Sequence, residues 1–128
     1  MIRKSLILIS IFSLLYGLVF FCTPYFFAEL TEAEDTNIAW LRNIGASICG
    51  VLFLGLLFVY KSPSSNYDLF KIITITSILQ SLGLIFSRFF NEFSAQNTMI
   101  IDFTIYSAIF VSLYFTYILF NYKSIFSK

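Results

Sequence analysis

LILISIFSLLYGLVFFCTPYFF, residues 6–27, carries no Asp, Glu, Lys or Arg. At about 1.5 Å of rise per residue, a helix of roughly 20 residues crosses a hydrocarbon core of about 30 Å. Three more runs of the same kind follow, over 40–60, 70–90 and 100–122, with short polar breaks between them. The sequence therefore predicts an all-α fold: an integral membrane antiparallel four-helix bundle, forming a single transmembrane domain over 1–128. The first run resembles the core of a cleaved signal peptide only at Arg3 and Lys4. It is too long, no small-residue cleavage site follows it, and Val19-Phe20-Phe21 before Cys22 is too bulky for lipoprotein processing, so a retained helix is expected.

Composition agrees. Hydrophobic residues make up 59% of the chain and charged residues 12%, and the mean hydropathy is +0.86. A soluble domain of this size needs about twice that charge to stay dispersed. The net charge of +1 comes without a basic cluster, so no nucleic-acid partner is expected.

Charge placement predicts orientation. With four spans, the N-terminus, the 61–69 loop and the C-terminus share a side. That side holds Arg3, Lys4, Lys61, Lys71, Lys123 and Lys128, leaving Arg42 and Arg88 opposite. Short loops rich in Lys and Arg stay cytoplasmic, so both termini are expected inside. Glu29, Glu32, Glu34, Asp35, Glu92 and Asp102 fall toward the outside and Asp68 inside. Tyr25 and Trp40 suit the outer headgroup level, and Tyr60, Tyr67 and Tyr122 the inner one. Pro63 with its Ser and Asn neighbours marks an inner turn. Pro24 is expected to bend or end the last turn of the first helix. Asp35, Thr36 or Asn37 is expected to cap the second helix.

The second helix carries the clearest packing pattern. Gly45, Ala46, Cys49, Gly50 and Phe53 form one small-residue face, and small residues let membrane helices approach closely. Gly17 and Gly83 are candidate matching grooves on the first and third helices. Bundle packing within the chain accounts for such a face, and so does a dimer interface.

Polar residues in hydrocarbon are costly, so each needs a reason. Arg42, Arg88 and Asp102 are expected at similar depth near the outer surface. Arg88–Asp102 or Arg42–Asp102 is the economical pair, with Glu29 or Glu92 as a further partner. The cluster reads either as an outward-facing polar pocket or as a clamp between helix ends. In the third helix Thr76, Gln80, Gly83 and Ser87 form one stripe expected to face the bundle, beside a second stripe of Thr74, Ser77, Ser81 and Arg88. Gln80, near mid-membrane, needs a partner, and Tyr16, Tyr114 and Ser112 are candidates. In the fourth helix Asp102, Tyr106, Phe110, Leu113 and Tyr117 recur at helical spacing, as a cavity lining or a packed core.

Absences narrow the chemistry. The chain has no His and two isolated cysteines, Cys22 and Cys49. That leaves no Ser-His or Cys-His nucleophile, no metal-ligating pattern and no axial haem His. No phosphate-loop or dinucleotide pattern occurs. No cofactor, no metal and no catalytic residue is expected; Asp102 with Glu92 are the only credible acid–base candidates. A Cys22–Cys49 disulfide would be strained.

In its layout the chain resembles the small four-helix bacterial membrane proteins grouped as DoxX-like. The first helix ends near Tyr25-Phe26-Phe27, an outer polar loop follows, and Trp40-Leu41-Arg42-x-x-Gly45 opens a glycine-rich helix through Gly50 and Gly55. The resemblance covers most of the chain in order of elements and rests on Arg42-x-x-Gly45. It implies a place in a bacterial inner membrane, and a composition rich in Ile, Phe, Asn, Lys and Ser suggests an AT-rich bacterial genome. Some members are associated with membrane redox or quinone-linked systems.

The residues thus lead to a non-catalytic small integral membrane protein, an accessory subunit or scaffold acting through helix packing. Its expected partners are membrane lipid, other membrane subunits or a second copy. The alternative is a binding protein for a lipid, quinone or other amphipathic ligand. Its site would be the outward-facing cluster of Arg42, Arg88 and Asp102, extended by Gln80 and Tyr106. Gly45, Ala46, Gly50 and Gly83 are the expected helix-packing residues.

Overall fold

The computed structural model describes residues 2–34 and 36–126; Asp35, a candidate cap, and Lys128, counted among the inner basic residues, lie outside them. Four helices are long and apolar enough to cross a membrane, and no strand occurs among the described residues. The first is α1 (Ile2–Cys22), followed by a short α2 (Pro24–Leu30). The second crossing runs Ile38–Lys61 as α3 (Ile38–Ser47), a π-helical segment (Ile48–Leu54) and α4 (Gly55–Lys61). The third and fourth are α5 (Tyr67–Phe89) and α6 (Thr98–Asn121).

The first helix stops five residues earlier than the apolar run. Pro24 disfavours helical backbone at the residue before it and has no N–H to donate into the ladder. Thr23 accordingly leaves the helix at φ −125°, ψ 48°, and Pro24 becomes the first residue of α2. The apolar run continues to residue 27, and Pro24, expected to bend or end the last turn, ends α1 before it.

Caps fix the remaining ends. Asn37 accepts from the Trp40 N–H at 3.2 Å to start α3, and Asn97 accepts from the Met99 N–H at 3.3 Å to start α6. Asn66 donates to the Ser62 and Phe58 carbonyls at 2.8 and 3.2 Å, closing the turn around Pro63. Glu32 (φ 52°) and Asn91 (φ 55°) take the left-handed conformation that ends α2 and α5. Bonds from Ala33 N–H to the Ala28 carbonyl and from Glu92 N–H to the Ser87 carbonyl complete these closures. Asn tolerates that backbone; Glu adopts it at a cost of about 1 kcal/mol.

α1 packs along the whole second crossing, α5 along α6, and α4 against α5. The larger core joins all four long helices: Leu6 from α1, Leu56 and Val59 from α4, Phe70 and Ile73 from α5, Phe115 and Ile118 from α6. A smaller cluster gathers Phe20, Phe27 and Ile48. Outside these cores the surface is apolar: Phe12 is 62% exposed, Phe110 67% and Phe120 73%. Water would not tolerate so continuous a surface, whereas lipid matches it. Tyr25 and Trp40 are exposed at one end of the molecule, as aromatic residues at a headgroup boundary would be.

The connection between α2 and α3 and the one between α5 and α6 clasp each other. Asn97 N–H donates to the Thr31 carbonyl at 3.0 Å, and Gln96 Nε2 to Glu34 Oε1 at 3.1 Å. Ala33 and Ala95 pair as an isolated antiparallel bridge.

Candidate functional site

The expected outer charge cluster is two separate devices. Arg88 Nε donates to Asp102 Oδ1 at 2.8 Å and Nη2 to Oδ2 at 3.3 Å, a two-pronged pair that ties the C-terminal end of α5 to the start of α6. Both side chains are a little over one-third exposed. Each neutralises the other, so neither offers a free charge. Glu29 and Glu92 join no ion pair among the described residues.

Arg42 does not join them. Its Nη1 donates to the Phe21 carbonyl at 2.9 Å. The last carbonyls of a helix lack intrahelical donors and sit at the negative end of its dipole. Pro24 deepens that deficit at α1 because it has no N–H to supply. Arg42 therefore acts as a side-chain cap on α1. Arg3 repeats the device at the opposite end of the bundle, donating to the Tyr60 carbonyl at 2.7 Å near the end of α4.

The polar stripe that faces inward on α5 is Thr74, Ser77 and Ser81, all buried. Each hydroxyl donates to the carbonyl four residues back, and Ser81 also reaches Ser112 on α6 at 3.4 Å. The other stripe, with Gln80 and Gly83, faces outward, both residues being exposed. The three candidate partners of Gln80 are occupied elsewhere. Tyr16 pairs with Thr104 at 2.6 Å, Tyr114 with Ser5, and Ser112 with the Ile109 carbonyl at 2.8 Å. Tyr106 is 70% exposed, with Phe110, Leu113 and Tyr117 on the same outward face. Gln80, Tyr106 and the charge pair thus line no common cavity. The buried stripe of α6 is Ile101, Ile105, Ser112, Phe115 and Ile118.

The glycines separate in the same way. A Cβ at Gly45 would lie 2.6 Å from the Phe21 nitrogen and 2.7 Å from the Gly17 carbonyl oxygen. A Cβ at Gly17 would lie 2.6 Å from Cys49 Sγ. α1 and α3 therefore meet backbone to backbone at Gly17 and Gly45. Gly50 and Gly83 have nothing within 4 Å of such an atom, and Ala46 is exposed. They do not pack the bundle.

Ala46 and Gly50 instead border an open groove of about 320 Å³ between α1 and the second crossing, walled by Leu14, Leu18, Phe21 and Phe53. Cys49 also lines it; both cysteines are free. The π-helical segment runs along this groove. Its Phe53 carbonyl accepts from Ser10 Oγ of α1 at 2.9 Å, with Ser10 wholly buried. Sequence reasoning passed over Ser10 and the π segment. The available signal was the spacing of Leu6, Ser10, Gly17 and Phe20, a stripe with its small residues on one side of α1.

Among the described residues no buried side-chain nitrogen or oxygen lacks a hydrogen-bond partner, and no group of His, Cys, Asp or Glu is placed to hold a metal ion. Most buried hydroxyls are satisfied by carbonyls of their own helix, and Ser10–Phe53 and Ser81–Ser112 are the bonds from buried hydroxyls that join helices. The chain matches no protein-family model, no curated protein and no solved structure. The resemblance carried by Arg42-x-x-Gly45 gains nothing from those comparisons. In this structure the two residues cap and pack α1.

Proposed function

We propose that this chain is a small, non-catalytic integral membrane protein, an accessory subunit or scaffold that works through its helix faces. In this reading it is an antiparallel four-helix bundle with both termini cytoplasmic, in a bacterial inner membrane. The charge asymmetry of its loops supports the orientation. Impermeant maleimide should then label a cysteine placed at Glu92 and spare one placed at Ser64; the reverse pattern would invert the topology.

The observation that carries the reading is the outward groove at Ala46 and Gly50. Two small residues border the groove beside a π segment, the kind of irregularity that often accompanies a functional contact. Small residues at a membrane surface favour close approach of another helix, because packing rather than water exclusion drives association there. Binding of a lipid, quinone or other amphipathic ligand at the outer charges has less support, since Arg88 and Asp102 satisfy each other and Arg42 is engaged by Phe21.

Native mass spectrometry of the protein, extracted in mild detergent from its own membrane at its natural level, tests this. A partner chain in fixed stoichiometry, lost on Gly50→Leu, is the expected result. Gly50→Leu fills the groove without meeting another atom of this chain near the added Cβ. A chain that carries no partner, or a partner indifferent to Gly50→Leu, refutes the groove as the working surface.

A further inference from the structure

We infer that α5 is a self-association surface, and that its occupant is the α5 of a second copy, joined through reciprocal Gln80 amide bonds. The inference rests on the reading that the four helices cross a membrane and that the chain acts through helix faces. Gln80 lies two residues from the middle of α5, about 3 Å by helical rise. It is exposed, and no hydrogen bond to it exists among the described residues. From that depth the side chain is too short to reach headgroups, unlike a snorkelling Lys or Arg. In hydrocarbon an amide without partners is unfavourable by several kcal/mol.

The chemistry selects a second copy. An amide carries both donor and acceptor. Two parallel copies of α5 about a two-fold axis along the membrane normal place Gln80 opposite Gln80, and each donates to the other. The flanking positions fit the same seam. Thr76, Gln80, Gly83 and Ser87 follow 4-3-4 spacing, the repeat of a left-handed helix pair, in which a single polar seam residue sets the register. Gly83, open on its Cβ side, lets the backbones close in. The seam carries no charge, and the neighbouring Arg88 is neutralised by Asp102, so like charges do not hold the copies apart.

The test uses the purified full-length chain alone in phosphatidylcholine vesicles, labelled at the exposed Cys22 with donor or acceptor in a Cys49→Ala background. Energy transfer is read against protein-to-lipid ratio. The expected result is transfer that saturates at two chains per complex. Two reciprocal bonds of the size seen between membrane helices predict about tenfold weaker association for Gln80→Leu. Gly83→Leu should weaken it comparably. Neither residue packs against the rest of the chain, so helix content by circular dichroism should match the parent in both. Transfer no greater than random proximity in the parent overturns the inference. So does transfer that survives both variants, or that Gly50→Leu abolishes while Gln80→Leu does not. Because no other protein is present, the absence of a heterologous partner leaves this outcome untouched, and failure here leaves the groove reading standing.

Discussion

Replacing Gly45 by alanine adds one methyl group where two helix backbones touch. Its Cβ would sit 2.6 Å from the Phe21 nitrogen, 2.7 Å from the Gly17 oxygen and 3.0 Å from the Phe20 carbonyl carbon. Carbon contacts are comfortable from about 3.5 Å, so α1 and α3 must part by nearly 1 Å. A gap of that size forfeits about a third of each dispersion well of roughly 0.15 kcal/mol. Over about 50 atom pairs, typical of one well-packed large side chain, the loss is about 2.5 kcal/mol. The figure falls within the usual cost of overpacking. Dispersion is the relevant term because lipid supplies no hydrophobic drive between helices. The assay is reversible unfolding in mixed micelles with rising dodecyl sulfate, followed by Trp40, the single tryptophan, which lies on α3. Gly50→Ala is the control, expected within about 0.5 kcal/mol of the parent because its Cβ meets nothing. A Gly45→Ala protein as stable as the parent, or a Gly50→Ala protein equally weakened, would refute the assignment of Gly45 as the contact. Arg42→Ala should couple to Gly45→Ala by about 0.5–1 kcal/mol, since both act on the Phe20–Phe21 segment.

Two further substitutions probe the polar ties. Asp102→Asn should lower stability by about 1 kcal/mol, limited by the partial exposure of the pair. Exchanging Arg88 and Asp102 should recover part of it, so a neutral Asp102→Asn would show that the pair holds nothing. Ser10→Ala strips the Phe53 carbonyl of its donor and should cost about 1 kcal/mol. The same change should speed amide exchange within Ile48–Leu54; unchanged exchange there would separate Ser10 from the π segment.

The amino-acid sequence by itself determined the four crossings. Length and hydropathy are properties of a segment alone, and hydrocarbon thickness converts them into helices whatever the packing. The turn at Pro63 and a cap among residues 35–37, one of three candidates being Asn37, were legible for the same reason, because turn and cap chemistry is local. Small-residue spacing named Gly45 and Gly17 together with Ala46, Gly50 and Gly83 and did not separate the ones that meet another helix, and Arg88–Asp102 was one of two pairs that charge and depth allowed.

Only the tertiary structure decided which face of each helix turns inward. In a soluble protein, water marks the outer face by polarity. Here both faces are apolar, and α5 carries small and polar residues on two adjacent stripes. Thr74, Ser77 and Ser81 were therefore as eligible for the interior as Thr76, Gln80 and Gly83. Packing against Phe115 and Ile118 of α6 and Leu56 of α4 chose the first stripe and left Gln80 outside. The partner of Arg42 was hidden for a related reason. It is a backbone carbonyl, present at every residue, and only the break at Thr23 and the close approach of α3 to α1 left the Phe21 carbonyl open to it.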